Sequence, residues 1–352
     1  MSMTYTPKGV HSYWAQSTAL PIPVISSLSD TPRDEDLGAF TMTVTGTGFR
    51  HDSVVRWAGS DRTTAYVSST SLTAEILAGD VDDAGTFAVT VNNPGIGVSN
   101  SSTFTVDVAA AWSPADLSPL FWVDADDSAT ITIATGVSQW ADKSGNAYHL
   151  VQATGSAQPA VASGALNGLD VVRFNGSSHR LAVSSFPTAE SAYSVYIVVD
   201  KAADPANASP KVGAWHGTSD GGVSNASHFP FSDGNVYESF GSSARKTVGN
   251  LTPSLASARI WNVNSASGAW STYLDGTSVF STGTNTVGMS STFHVGSNGG
   301  STVFLEGDVA EIVMFNSVLS TGDRQALEGY LAWKWGLEAN LPGGHPYEGA
   351  PP

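Results

Sequence analysis

The chain of 352 residues contains no cysteine, which excludes a disulfide framework and any thiolate metal site and leaves the redox compartment unmarked. Basic side chains are scarce: 15 Lys and Arg stand against 31 Asp and Glu, a formal net charge of -16. That field repels phosphate backbones and no Lys/Arg cluster interrupts it, so nucleic acid is not an expected partner. No window approaches the ~20 apolar residues of a membrane span, and no membrane insertion is expected. The opening "MSMTYTPKGVHSYWAQSTAL" lacks the basic stretch and unbroken apolar core of a secretory signal. The histidines show neither H-x-H nor H-x-x-x-H spacing, so they argue for no zinc site and no nucleophile triad. A Gly-rich phosphate loop and a strand-Gly-helix dinucleotide fingerprint are also missing.

What is abundant points one way. There are 36 Gly and ten Trp, 41% hydrophobic residues and only 13% charged ones, a balance that suits short strands joined by tight turns. The expected fold class is all-β, and the length allows two domains with separate cores.

Residues 1–20 read as an extended arm carrying Tyr5, Tyr13 and Trp14; it is either a disordered terminus or an anchor that orders on a partner. From 21 to 108 the residues alternate with period two in "FTMTVTG", "SLTAEIL", "TFAVTV" and "STFTVDV", the mark of half-buried antiparallel strands in a small sandwich. Residues 109–119 form a linker stiffened by Pro114 and Pro119. Residues 120–352 are a second, larger β domain. Within it "YLDGTSVF" is a hairpin, with Asp275-Gly276 supplying the positive φ angles of its turn. One helix near the end takes Ser320 and Asp323 as an N-cap pair, an apolar face of Leu327, Leu331 and Trp335, and Gly336 as its stop.

Two resemblances follow from these stretches. "PVISSL", "VTGTGF", "VVRWAG" and "GTFAVTVNNPG", in that order, resemble an immunoglobulin-like IPT/TIG domain, which implies a spacer or docking module. "LFWVDADDSATIT", "VSQWADKSGNAYHL", "LDVVRFNGSSHRL" and "GDVAEIVMFNSVLSTGDRQALEGYLAWKWGL" resemble the concanavalin A-like lectin/LamG superfamily, in the form common among bacteriophage structural proteins and some bacterial surface proteins. That likeness implies an Ig-like sandwich followed by a jelly-roll sandwich with one C-terminal helix. Lectins, hydrolases and inert structural domains all share the second fold.

Several side chains are candidates for chemistry. "LEGDVAE" places Glu306, Asp308 and Glu311 in an E-x-D-x-x-E comb, similar to the acid and nucleophile of some β-sandwich glycoside hydrolases, whose carboxyl groups must sit ~5 Å apart on one face. In a regular strand Glu306 and Asp308 share a face and Glu311 takes the other unless a bulge intervenes. Here the comb precedes the terminal helix instead of lying mid-chain, so no catalytic residue is assigned. Asp124, Asp126, Asp127 and Asp142 supply oxygens for a possible Ca2+, or else cap turns. The stretch 211–247 mixes aromatic with polar side chains, as a glycan site requires. Trp215, His216, Asp220, Asp233, Tyr237, Arg245 and, beyond it, Trp270 are the candidate carbohydrate-binding residues, though Tyr237 and Trp270 lie in strand-like runs where burial is common.

The combined reading is a non-catalytic bacteriophage virion surface protein, in a fibre, tail or capsid decoration. Its N-terminal part is expected to contact other virion proteins, and its lectin-like domain to bind host surface glycans, in many copies or as a homo-oligomer. A decoration protein without a ligand, a glycoside hydrolase and a bacterial surface adhesin are the alternatives.

Overall fold

The computed structural model describes residues 20–35, 37–201, 215–216, 227–231, 233–253, 256–297 and 303–352. Two compact units divide the chain, Met1–Ala111 and Trp112–Pro352. Residues 1–19 of the expected arm lie outside the described residues.

In the first unit, Val24–Leu28, Phe40–Thr47, Ser71–Ile76 and Thr64–Ser68 form one sheet in that order. Arg33–Asp34, Ser102–Asp107, Gly85–Asn93, Val54–Trp57 and Ser60–Asp61 form the other, with Gly97–Val98 beside Gly85–Asn93. The period-two pattern explains what each strand buries. Met42 and Val44, Val89 and Val91, and Leu72 and Ala74 turn inward around Trp57 and Phe104, while Thr86 and Ala88 stay exposed. Trp57 fills the centre, its ring 5.1 Å from Phe87 and 5.0 Å from Phe104. Aromatic pairs at that spacing add ~0.5–1.5 kcal/mol beyond the area they bury.

The second unit is a sandwich of two sheets. The larger runs in the order Ala160–Leu166, Leu169–Asn175, Glu306–Phe315, Ala192–Lys201, Arg259–Ala266, Ala269–Leu274, Thr277–Thr282, and Phe121–Asp124 also pairs with Glu306–Phe315. The smaller contains Ile131–Ile133, Val137–Trp140, Leu150–Val151, Leu181–Ser184, Thr292–Val295 and Trp215–His216. Val195, Ile197, Trp261, Ile312 and Met314 pack between the sheets. Tyr196, Val198, Ile260 and Val313 point the other way, under the helix Thr321–Trp335, against Leu327, Leu331 and Trp335. A strand covered on both faces has no polar side, which is why "YSVYIVV" reads as an unbroken apolar run.

The local signals hold. Ser320 Oγ accepts the Asp323 N–H, and Gly336 closes the helix at φ 69°. In the hairpin, Asp275 and Gly276 have φ 49° and 82°, and Leu274 pairs with Thr277. Trp112 and Leu117 pack against the helix cluster, so most of the 109–119 stretch is part of the second unit.

A third, three-stranded sheet of Ser227–His228, Val236–Glu238 and Lys246–Gly249 starts within the stretch 211–247 and ends two residues beyond it. It carries the candidate site.

Candidate functional site

The Val236–Glu238 strand alternates as its sequence dictates. Val236 and Glu238 are buried and Tyr237, between them, faces outward. Tyr237 Oη donates to Asp233 Oδ2 at 2.7 Å, and the Arg245 guanidinium lies over its ring at 4.8 Å. Phe231 meets Tyr237 edge-on at 5.8 Å, and His228 meets Phe231 at 4.9 Å. The phenol and the Asn235 amide hold Asp233 below the ordinary carboxylate range. The result is an aromatic surface edged by a fixed carboxylate and a cation, the chemistry that stacks on C–H faces and binds hydroxyls.

Glu238 anchors this strand from beneath. It is fully buried, and its Oε1 accepts the amides of Ser239 and Phe240 at 2.9 and 2.8 Å. The Trp215 and Trp261 indoles point at its two oxygens from 3.4 Å. Burial raises its pKa to about 7 against the pull of these donors.

Of the seven residues expected to bind carbohydrate, Asp233, Tyr237 and Arg245 come together. Trp215 and Trp270 are 1% and 2% exposed, so their rings are in the core rather than on this surface. Trp215 serves Glu238, and Trp270 Nε1 donates to the Phe240 carbonyl at 3.1 Å. Asp220 and the side chain of His216 lie outside the described residues.

The acidic comb resolves differently. The Glu306–Phe315 strand holds one extra residue, since Val198 pairs with Glu311 but Val199 with Val309. This bulge at Ala310 turns Glu311 to the helix side, the face of Asp308, as a bulge must. Glu311 is nonetheless sealed under the helix, where Trp122 Nε1, Trp335 Nε1 and Lys334 Nζ donate to it at 2.7, 2.8 and 3.0 Å. Burial pushes its pKa up, and the Lys334 charge opposes this. Asp308 is held bidentately by Arg173, both contacts 2.7 Å.

Glu306 and Asp308 do line an open cleft of about 710 Å3, with Arg173, His179 and Asp200. Burial first, then the charge of Asp308, raises the pKa of Asp200. The sequence reading missed Arg173, His179 and Asp200. Their only signal was polarity out of place: an arginine inside "VVRF" and an aspartate closing "YSVYIVVD".

The expected calcium donors are engaged with the chain itself. Asp142 accepts the amides of Trp122, Ser144 and Tyr148 at 2.9, 2.9 and 3.0 Å. Lys143 Nζ lies between Asp124 and Asp127 at 3.1 and 2.8 Å, an ammonium in the place a cation would take. Among the described residues no group of three or more His, Asp or Glu has metal-binding geometry.

Comparison with known proteins gives the following. No curated protein matches the chain. Among solved structures it is similar to domain 4 of the extracellular arabinanase AbnA from Geobacillus stearothermophilus in complex with arabinotriose, at 15% identity over 60% of this chain and 98% of that one, TM-score 0.44. It is similar to the botulinum neurotoxin serotype D ligand binding domain in complex with N-acetylneuraminic acid, at 12% identity over 61% and 52%, TM-score 0.45. It is also similar to Trypanosoma rangeli sialidase, at 13% identity over 84% and 51%, TM-score 0.42. The chain thus spans about half the length of the toxin and sialidase chains. The sequence profile of the IPT/TIG domain matches residues 23–106, the span of the first sandwich, and the chain therefore carries an IPT/TIG domain ahead of its larger all-β unit.

Proposed function

We propose that the protein is a non-catalytic surface component of a bacteriophage particle, a fibre, tail or capsid decoration protein, whose second sandwich binds host cell-surface glycans at the Tyr237 surface. The observation that carries the reading is the exposed set Asp233, Tyr237 and Arg245, in which a ring face, a hydrogen-bonded carboxylate and a guanidinium are held together on one strand and its flanks. The IPT/TIG domain, with the segment before it, attaches the chain to other virion proteins. Many copies on one particle turn weak single-site binding into firm adhesion.

Binding without cleavage fits the state of the carboxylates. A retaining glycosidase needs two carboxyl groups free to act on one bond, and of the comb Glu311 is sealed and Asp308 is clamped by Arg173. The test is a glycan array and a host-cell adhesion assay with the intact chain and with Tyr237→Ala. Binding that the substitution abolishes, with no sugar released from bound polysaccharide, supports the reading; a blank array and no adhesion favour a ligand-free decoration protein.

A further inference from the structure

Beneath the terminal helix, three elements bring an amine and two carboxyl groups into contact. Asp124 stands directly opposite Glu311 where Phe121–Asp124 pairs with Glu306–Phe315. Lys334, near the end of the helix, touches both: its Nζ is 2.7 Å from Asp124 Oδ2 and 3.0 Å from Glu311 Oε2. The Lys334 side chain is 18% exposed, that of Asp124 7% and that of Glu311 not at all. The surroundings are aromatic. The Trp122 and Trp335 indoles donate to Glu311, Tyr330 Oη lies 3.3 Å from both Glu311 Oε1 and Lys334 Nζ, and the Trp335 ring is 5.0 Å from that Nζ. A second ammonium, that of Lys143, meets Asp124 Oδ2 at 3.1 Å.

As a plain ion pair this arrangement contributes little, because the cost of taking the charges out of water offsets most of their attraction. It is better suited to chemistry. A lysine and an aspartate free in water do not condense, since the amine is protonated, the carboxylate is a poor electrophile and water reverses the reaction. Each obstacle is lowered here. Nζ rests against the carboxyl group it would attack, and reactants held in productive contact behave as if at ~10⁵ M or more. Glu311, touching the same Nζ, is placed to take protons from the ammonium and deliver them to the departing oxygen, as a general acid–base does. Burial favours its protonated form. The Lys143 charge beside Asp124 Oδ2 stabilises the oxyanion that forms on attack. The aromatic surroundings keep bulk water from the product.

We propose that Lys334 and Asp124 join in an intramolecular amide bond that the folded chain makes by itself, with Glu311 as the proton carrier. The bond from Lys334 Nζ to Asp124 Cγ forms and one Cγ–O bond of Asp124 breaks. Two protons of the ammonium pass through Glu311 to the departing oxygen, which leaves as water, and the third stays on the amide nitrogen. Glu311 ends as it began, one positive and one negative charge disappear together, and no oxidant or reductant is consumed. The bond closes a loop from residue 124 to residue 334, most of the unit Trp112–Pro352, and ties the strand Phe121–Asp124 to the terminal helix. In a chain without cysteine it takes the part of a disulfide, constraining the unfolded chain over a long span. The inference is independent of glycan binding.

The experiment is mass spectrometry of the whole denatured chain and of its tryptic fragments, for the intact chain, Lys334→Arg and Glu311→Gln. The intact chain is expected to be one water lighter than its sequence, with a fragment joining residues 63–143 to residues 325–352, because trypsin no longer cuts after Lys334. On a boiled denaturing gel the looped chain should run ahead of both variants. Lys334→Arg keeps the charge and Glu311→Gln keeps the shape, and both are expected at full sequence mass with separate fragments. An intact chain at full mass overturns the proposal, whether or not either variant folds. A one-water deficit that persists in Lys334→Arg, as a cyclic imide at Asp275-Gly276 would give, overturns it too. A joined fragment in Glu311→Gln at the yield of the intact chain overturns the role given to Glu311.

Discussion

Replacing Glu238 by Gln probes how the strand under Tyr237 is anchored. Burial raises the pKa of this carboxyl from 4.5 to about 7, so the folded state holds the proton more tightly than the unfolded chain does. Its contribution is therefore most favourable below pH 4.5, falls as pH rises through the interval, and is fully lost above about 7. At ~1.4 kcal/mol for each pH unit of that interval, ionised Glu238 leaves the folded state roughly 3 kcal/mol worse off at pH 8 than at pH 4.5. Glutamine removes this dependence. It introduces an NH2 group among neighbours that mainly donate, the Trp215 and Trp261 indoles and the Ser239 and Phe240 amides, a loss of ~1 kcal/mol. The net expectation is a gain of about 2 kcal/mol at pH 8 and near balance at pH 5, where about 0.7 kcal/mol of the penalty already offsets the lost hydrogen bonding. For a unit of this size that is roughly 4–8 °C up in Tm at pH 8 and little change at pH 5. Thermal melts from pH 5 to 8.5, followed by circular dichroism, measure the shift. Asp275, raised to about 6 by burial, keeps part of the pH slope in the variant. A Glu238→Gln chain equally destabilised at pH 5 and pH 8 would refute the reasoning, because the buried carboxylate would then carry no penalty.

Other substitutions test other parts of the account. Gly307→Ala, at φ 153° with its Cβ driven against the Asp200 carbonyl, should cost about 2 kcal/mol or more in denaturant unfolding, since two hydrogen-bonded strands must part. Glu311→Ala leaves the Trp122 and Trp335 indoles without their acceptor while Lys334 keeps Asp124, and a loss of roughly 2–4 kcal/mol is expected in the same measurement. Ser320→Ala removes the cap of the terminal helix and should cost ~1 kcal/mol. Tyr237→Ala loses a ring contact and one hydrogen bond but leaves the buried side of the strand intact, so it should lower Tm by no more than roughly 2–6 °C while lowering glycan affinity at least tenfold by calorimetry.

Much of the fold was legible because its signals are local. Alternation in "TFAVTV", the Asp275-Gly276 turn and the Ser320 cap each depend on a few neighbouring residues, and each appears where the pattern places it. The site was legible only in part. Tyr237 and Trp270 both sit in alternating runs, and alternation gives two faces without saying which one a distant sheet will cover. Trp270 packs inward, whereas Tyr237 lies on the outward side of the short strand Val236–Glu238. Glu311 shows the same limit, for the bulge at Ala310 that turns it toward the helix answers to pairing with Ala192–Lys201, a strand more than a hundred residues earlier in the chain. The cleft row of Arg173, Asp308 and Asp200 is a product of register between three strands far apart in sequence, and no spacing within any one of them announces it.

The most direct measurement is titration calorimetry of the intact chain and of Tyr237→Ala with the strongest oligosaccharide from an array, alongside an assay for released reducing sugar. Saturable binding by the intact chain, at least tenfold weaker in the variant and with no sugar released, is the predicted result. Saturable binding that ignores Tyr237, or reducing sugar accumulating with time, would contradict it.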